Sequence, residues 1–197
     1  MIVVGLGALA WTLVVWRWGD PFTSLYTARE QRHLAERYDA LIRSAPLAAA
    51  TPTTIAARAR SHRLATRAGD PVGRITIPRL GLRMILVNGT DQGTLKKGPG
   101  RHLRSFMPGE GKLVYVAGHR TTYLAPFARI EQLRKGDRIS LETPYGVFGY
   151  TVTGQRIVED DDTSVLRSLD RETLRLQSCH PRFFASHRFI VYANPSA

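Results

Sequence analysis

Cysteine is all but absent from this sequence: Cys179 is the only one among 197 residues. A single thiol excludes an internal disulfide framework and any zinc site built from several thiolates. Lysine is scarce too, confined to Lys96, Lys97, Lys112 and Lys135, so arginine carries most of the formal net charge of +12. The basic excess is spread along the chain, with 9 basic against 5 acidic residues before Gly73 and 19 against 11 from there on. No helix-turn-helix, zinc-finger or aromatic RNA-binding pattern accompanies it, so nucleic acid is not an expected partner. Attraction to an anionic membrane or cell-wall surface explains the charge, as does an arginine-rich genome. Internal repeats and low-complexity blocks are missing, and the length suits one cored domain with a shorter appendage.

Long apolar runs are also missing, with one exception. Residues Ile2 to Trp16 are uncharged and include Trp11 and Trp16, with Trp18 just beyond Arg17. The run is slightly shorter than the roughly 17–25 residues of a full span, and its tryptophans suit an interfacial belt. No small-x-small cleavage site follows and no basic segment precedes it, which disfavours a signal peptide. Residues 1–19 therefore read as a membrane anchor whose upstream cytoplasmic residues lie outside this sequence, and the flanking charges do not fix its orientation. Thr23 to Arg43 has Leu25, Leu34, Tyr38, Leu41 and Ile42 at helical spacing, with Thr23 or Ser24 as a possible cap. Ala45 to Asp70 has no clear apolar period and reads as a flexible basic linker, so residues 20–71 form a helical stalk and linker.

From Val72 to the C-terminus the texture changes to short apolar runs punctuated by Gly and Pro. Candidate strands are Arg74–Ile77, Met84–Val87, Lys112–Ala117, Arg138–Glu142, Val147–Val158, Thr173–Ser178 and Arg188–Ala193. The clearest hairpin turns through Thr143-Pro144-Tyr145-Gly146. Short helices are expected over Tyr123–Leu133 and Ser164–Leu169. Many short strands with turn residues at this spacing predict a mainly β domain, a barrel or a sandwich.

Three residues suggest chemistry. Cys179 ends an apolar, strand-like segment, His119 closes the run Leu113–Gly118, and Arg188 opens the last strand. A thiol nucleophile, a proton-transferring imidazole and a fixed positive charge are the parts of cysteine-based acyl transfer. Cys179 could equally be a small buried hydrophobe and His119 a strand-end histidine satisfying backbone groups. Arg182 is a rival cation closer in sequence to Cys179. His180 neighbours the thiol but faces the other way by strand alternation. Glu159-Asp160-Asp161-Asp162 lacks the alternating spacing and distal Glu of a calcium loop and reads as an acidic turn. No cofactor, calcium or other metal is expected.

Six motifs in order resemble a sortase: Leu80-Gly81; Gly89-Thr90-Asp91; Gly98-Pro99-Gly100; Ala117-Gly118-His119-Arg120-Thr121-Thr122; Leu133-Arg134-Lys135-Gly136-Asp137; and Leu176-Gln177-Ser178-Cys179-His180-Pro181. The resemblance runs from about Val72 to Ala193, and the stretches around His119 and Cys179 look most like class E sortases of high-GC Gram-positive bacteria. The resemblance implies an eight-stranded β-barrel over 72–197, tethered by a single membrane pass and lying outside the cell. It further implies a cysteine transpeptidase that cuts a C-terminal Leu-Pro-x-Thr-Gly or Leu-Ala-x-Thr-Gly sorting signal between Thr and Gly. The partners would be secreted proteins bearing that signal and a cell-wall amine. A pilus-building sortase with a pilin lysine as acceptor and an inactive sortase-like binding module are the alternatives.

Carried over residue by residue, the resemblance makes Cys179 the nucleophile, His119 the general acid and base, and Arg188 the oxyanion donor. Ser178, Thr121 and His102 are candidate substrate contacts, Ser178 standing where sortases more often carry Thr. One departure concerns specificity: class E members tend to read Gly-Pro-Gly-His-Tyr where this chain has Gly98-Pro99-Gly100-Arg101-His102. That Tyr is associated with accepting Ala in the signal's second position.

Overall fold

Eight strands close on themselves in the order β1-β2-β3-β4-β7-β8-β6-β5, as seen in a computed structural model that describes residue 5, residues 21–44 and residues 51–196. The strands are β1 Pro71–Ile77, β2 Leu82–Asn88, β3 Gly100–Arg101, β4 Leu113–Ala117, β5 Arg138–Thr143, β6 Gly146–Glu159, β7 Thr173–His180 and β8 His187–Pro195. Pairing is antiparallel except for β2 with β3 and β4 with β7. β1 pairs with β5 to close the barrel, which removes every open sheet edge.

Strand alternation explains the core. Val114 and Val116 on β4, Leu174 and Leu176 on β7, and Phe189, Val191 and Ala193 on β8 fill the interior. The opposite face of the same wall is also covered, by Leu113, Tyr115, Val158, Val165 and Ile190. A strand buried on both faces reads as a continuous apolar run, as Leu113–Ala117 does. The expected hairpin forms, with Thr143 paired to Gly146 across a two-residue turn. β6 is 14 residues long and shifts register between Val152 and Gly154, so it can serve both β5 and β8.

β3 was not among the expected strands because it holds only two residues. It fits beside β2 only through glycine: a Cβ on Gly100 would lie 2.0 Å from the Gly89 carbonyl oxygen, a backbone atom that cannot swing away.

Two helices flank the barrel. α1, Pro21–Ser44, lies along the outside of β1 and β2, burying Leu34 and Tyr38 against Ile85 and Val87. Gln31 reads the barrel backbone directly, accepting from Ile85 N–H at 2.7 Å and donating to the carbonyls of Ile85 and Lys97 at 3.1 and 2.8 Å. Arg74 bridges Asp39 of α1 and Glu142 of β5. The Ala45–Asp70 segment, expected to be a flexible linker, instead contains α2, Pro52–Ala65, with Pro at its first position and Thr51 capping Thr54 N–H. α2 lacks an apolar stripe because Ala59 alone among its residues is fully buried, joining the barrel core. Its remaining anchors are polar: Arg63 grips the Glu110 carboxylate with two nitrogens, and His62 bonds the Val72 carbonyl. α3 is the single turn Gln92–Leu95, capped by Asp91.

The short helix expected over Tyr123–Leu133 does not form. Tyr123, Leu124 and Ala125 take positive φ values of 55°, 59° and 40°, which no α-helix of L-residues tolerates, and only a 3₁₀ turn at Ile130–Gln132 follows. Thr163–Leu166 is likewise a 3₁₀ turn. The apolar run over 2–16 lies, apart from Gly5, outside the described residues. Among those described, no helix is long and apolar enough to cross a membrane.

Candidate active site

The wall β4-β7-β8 positions all three residues singled out for chemistry, Cys179 on β7, Arg188 on β8 and His119 two residues past β4, and the sheet register explains why. On β7, Leu174, Leu176 and Ser178 point inward, so Cys179 faces out. Directly across on β8 its partner is Arg188, whose neighbours Phe189 and Val191 face in, placing Arg188 on the same outer face. β4 runs parallel to β7 with Ala117 beside Gln177, and Gly118 N–H donates to the Gln177 carbonyl at 3.0 Å. His119 therefore leaves β4 level with the end of β7 that bears Cys179. Gly118 is needed just before it, because a Cβ there would meet the Phe127 ring at 2.7 Å.

Each side chain has a defined surrounding. His119 packs beside Tyr123 with ring centroids 5.1 Å apart, and its buried Nε2 has no hydrogen-bond partner among the described residues. Burial, and secondarily the charge of Lys96, lowers its pKa from the ordinary 6.5, favouring the neutral ring. Arg188 donates to the carbonyls of Ala185 at 2.6 Å and His187 at 3.0 Å, and its other terminal nitrogen lies 3.8 Å from Asp160. The acidic turn thus has structural partners: Asp160 faces Arg188, Glu159 lies 3.4 Å from His187, and Asp162 caps the 3₁₀ turn through Ser164 N–H. Among the described residues, no group of three or more His, Cys, Asp and Glu could hold a metal ion.

Of the remaining candidates, Ser178 is 1% exposed and its hydroxyl donates to the Gly118 carbonyl, tying β7 to the His119 loop and leaving it turned away from the outer face. Thr121 is half-buried in that loop. His102 lies on the outer face, edge-on to Tyr115 at 6.0 Å, while Arg101 beside it is buried and holds Asn88 and the Ser105 carbonyl. Arg182 is exposed on the β7–β8 loop. His180 turns inward to Arg120.

Arg120 is the residue that sequence reasoning missed. Only 6% exposed, it donates to the main-chain carbonyl of Cys179 at 3.0 Å, contacts His180 Nδ1 at 3.0 Å and pairs with Glu131 at 2.9 Å. It locks the backbone of the thiol's strand to the loop that carries His119. Its position next to His119 in the Gly-His-Arg stretch was the available signal.

Histidine burial gives the fold a pH dependence. His62, His102 and His119 all have pKa values lowered from 6.5, with burial the first cause in each. Unfolded, these rings take up protons near pH 6.5; folded, they resist until lower pH, so the unfolded state binds more protons in between. Stability is then fully present above pH 6.5 and declines as the pH falls through the lowered values. Thermal melts between pH 7.5 and 5 should show Tm falling toward acid, and replacing His62 with Gln should flatten that slope.

Comparison with known proteins agrees with this architecture. Residues 75–196 match the sortase-domain family model. Sortase D of Bacillus subtilis is 35% identical over 128 residues, covering 63% of this chain and 63% of that protein. The chain thus spans less than two thirds of that relative's length. The structure of sortase E from Streptomyces avermitilis superposes with a TM-score of 0.59 at 32% identity, covering 66% of this chain and 91% of that one. A sortase D5 transpeptidase from Clostridium perfringens has the same fold, with a TM-score of 0.71 at 23% identity over 86% of this chain and 99% of that one.

Proposed function

Because this chain belongs to the sortase family, we propose that it is a cysteine transpeptidase acting on the C-terminal sorting signals of secreted proteins. The observation that carries the reading is the cross-strand pairing of Cys179 with Arg188 on the outer face that β4 extends to His119. In the first half-reaction the Cys179 sulfur attacks the carbonyl carbon of the signal's Thr. The oxygen takes up negative charge, and Arg188 faces it with a charged donor. The C–N bond to Gly then breaks, His119 passes a proton to the departing amine, and a thioester remains on Cys179. In the second half an amine attacks the thioester, His119 takes the amine's proton, and the sulfur leaves.

A neutral His119 suits the second half directly. The first half needs imidazolium, the form that burial disfavours. Membrane attachment through residues 1–19, with the barrel outside the cell and a cell-wall amine as acceptor, belongs to the same reading. So does placement with the class E enzymes, supported by the Streptomyces avermitilis likeness and set against the Bacillus subtilis sortase D likeness. His102 stands where class E members tend to carry Tyr, on the outer face beside β4.

A panel of peptides varying the second signal position tests the reading. Cleavage between Thr and Gly is expected for Pro or Ala at that position, detected by mass of the released Gly peptide. Cleavage elsewhere, or none with any peptide, contradicts it.

A further inference from the structure

We propose that the cleft between α1 and the His119 loop seats the amine acceptor and selects one that carries a carboxylate. The inference rests on the transpeptidase reading and adds the chemistry of its second substrate.

The cleft measures about 380 Å³ and is lined by Phe22, Thr23, Tyr26, Lys96 and Tyr123. That volume suits a ligand of amino-acid to small-peptide size. It opens beside the catalytic base, since Tyr123 lies against the His119 ring. β4 is flanked by β3 on one edge and β7 on the other. Cys179 lies on β7, on one side of β4, while Lys96 precedes β3 on the other and is close enough to His119 to act on its charge. A peptide held at Cys179 and Arg188 leaves the Lys96 side for the incoming amine.

Among the described residues that line this cleft, Lys96 carries the only charge, and it is positive. Lys96 Nζ lies 5.8 Å over the Tyr123 ring, and among the described residues no carboxylate pairs with it. An acceptor carboxylate would supply that partner and point the amine at His119. The aromatic rings of Tyr26 and Tyr123 give the carbon chain between carboxylate and amine a surface to lie on.

The walls are held in place by α1. Thr27 donates to the Lys96 carbonyl at 2.7 Å, and Tyr123 N–H donates to Thr23 Oγ1 at 3.2 Å, so one helix turn fixes both the Lys96 loop and the His119 loop. A preorganised cleft of this kind can discriminate between ligands.

The test compares two acceptors with one amine each, Nα-acetyl-lysine and Nα-acetyl-lysinamide. Each is supplied to the full chain with a sorting-signal peptide, and the ratio of transpeptidation products is read by mass spectrometry. The acid should be preferred by about tenfold, the scale of one charge-assisted contact. Lys96→Gln should bring the ratio to within about twofold of unity, and Lys96→Arg should keep it. A wild-type ratio near one, or a preference that survives in Lys96→Gln, overturns the proposal. The Cys179 thioester is followed in the same samples. If it forms but the ratio is flat, the cleft assignment alone fails; if it never forms, the transpeptidase reading fails and takes the cleft with it.

Discussion

Replacing Arg188 with alanine should lower kcat for thioester formation by about 10²–10³, the range found when one oxyanion donor is removed. The expectation follows from register and chemistry together. Arg188 is the residue directly across from Cys179, and its guanidinium is steadied by the Ala185 and His187 carbonyls and by Asp160. It is therefore ordered before substrate arrives, which limits the reorganisation needed when charge develops. Lysine should recover only part of the loss, because a single ammonium cannot hold the Ala185 and His187 carbonyls and still present a planar donor face. Single-turnover acylation with a sorting-signal peptide measures the effect, with circular dichroism to show that the fold is retained. A rate within threefold of wild type would remove Arg188 from the mechanism.

Arg120→Met should act on fold and site together. The guanidinium is buried, and its loss leaves the Cys179 carbonyl without the donor it now has. An unsatisfied buried acceptor costs about 1–3 kcal/mol. Glu131 adds little, because its side chain is 40% exposed and can turn to water. The kinetic signature should be a fall in kcat of roughly tenfold or more with KM nearly unchanged, since the residue aims the thiol's backbone and does not contact substrate. Lysine, which keeps a charge for the carbonyl, should restore part of both losses. A variant with lowered Tm but unaltered kcat would reduce Arg120 to a purely structural residue.

The barrel was legible in the sequence wherever strands alternate or turn sharply. Arg138–Glu142 and Val147–Val158 fall within β5 and β6, and Cys179 and Arg188 fall on β7 and β8. Elements held by contacts distant in sequence were less legible. α2 has no apolar stripe, because a lone buried alanine and polar bonds to Glu110 and Val72 dock it. The Tyr123–Ala125 turn has no composition that announces three consecutive positive φ values. α1 was visible as a helix, but its seat on β1 and β2 was not, since Gln31 meets backbone groups 54 and 66 residues away. Likewise the sequence placed Cys179, His119 and Arg188 in strand ends, while Arg120 and Lys96 gain meaning only once β4, β7 and α1 are folded around them.

The central claim is that the Cys179 sulfur becomes covalently acylated by a peptide carbonyl. Intact-mass spectrometry of the full chain, quenched in acid after mixing with Leu-Pro-x-Thr-Gly and Leu-Ala-x-Thr-Gly peptides, tests it directly. A mass increase equal to the peptide truncated after Thr, sensitive to hydroxylamine and absent in Cys179→Ala, is the predicted result. An unmodified chain with every signal peptide, or an adduct that persists in Cys179→Ala, would contradict it.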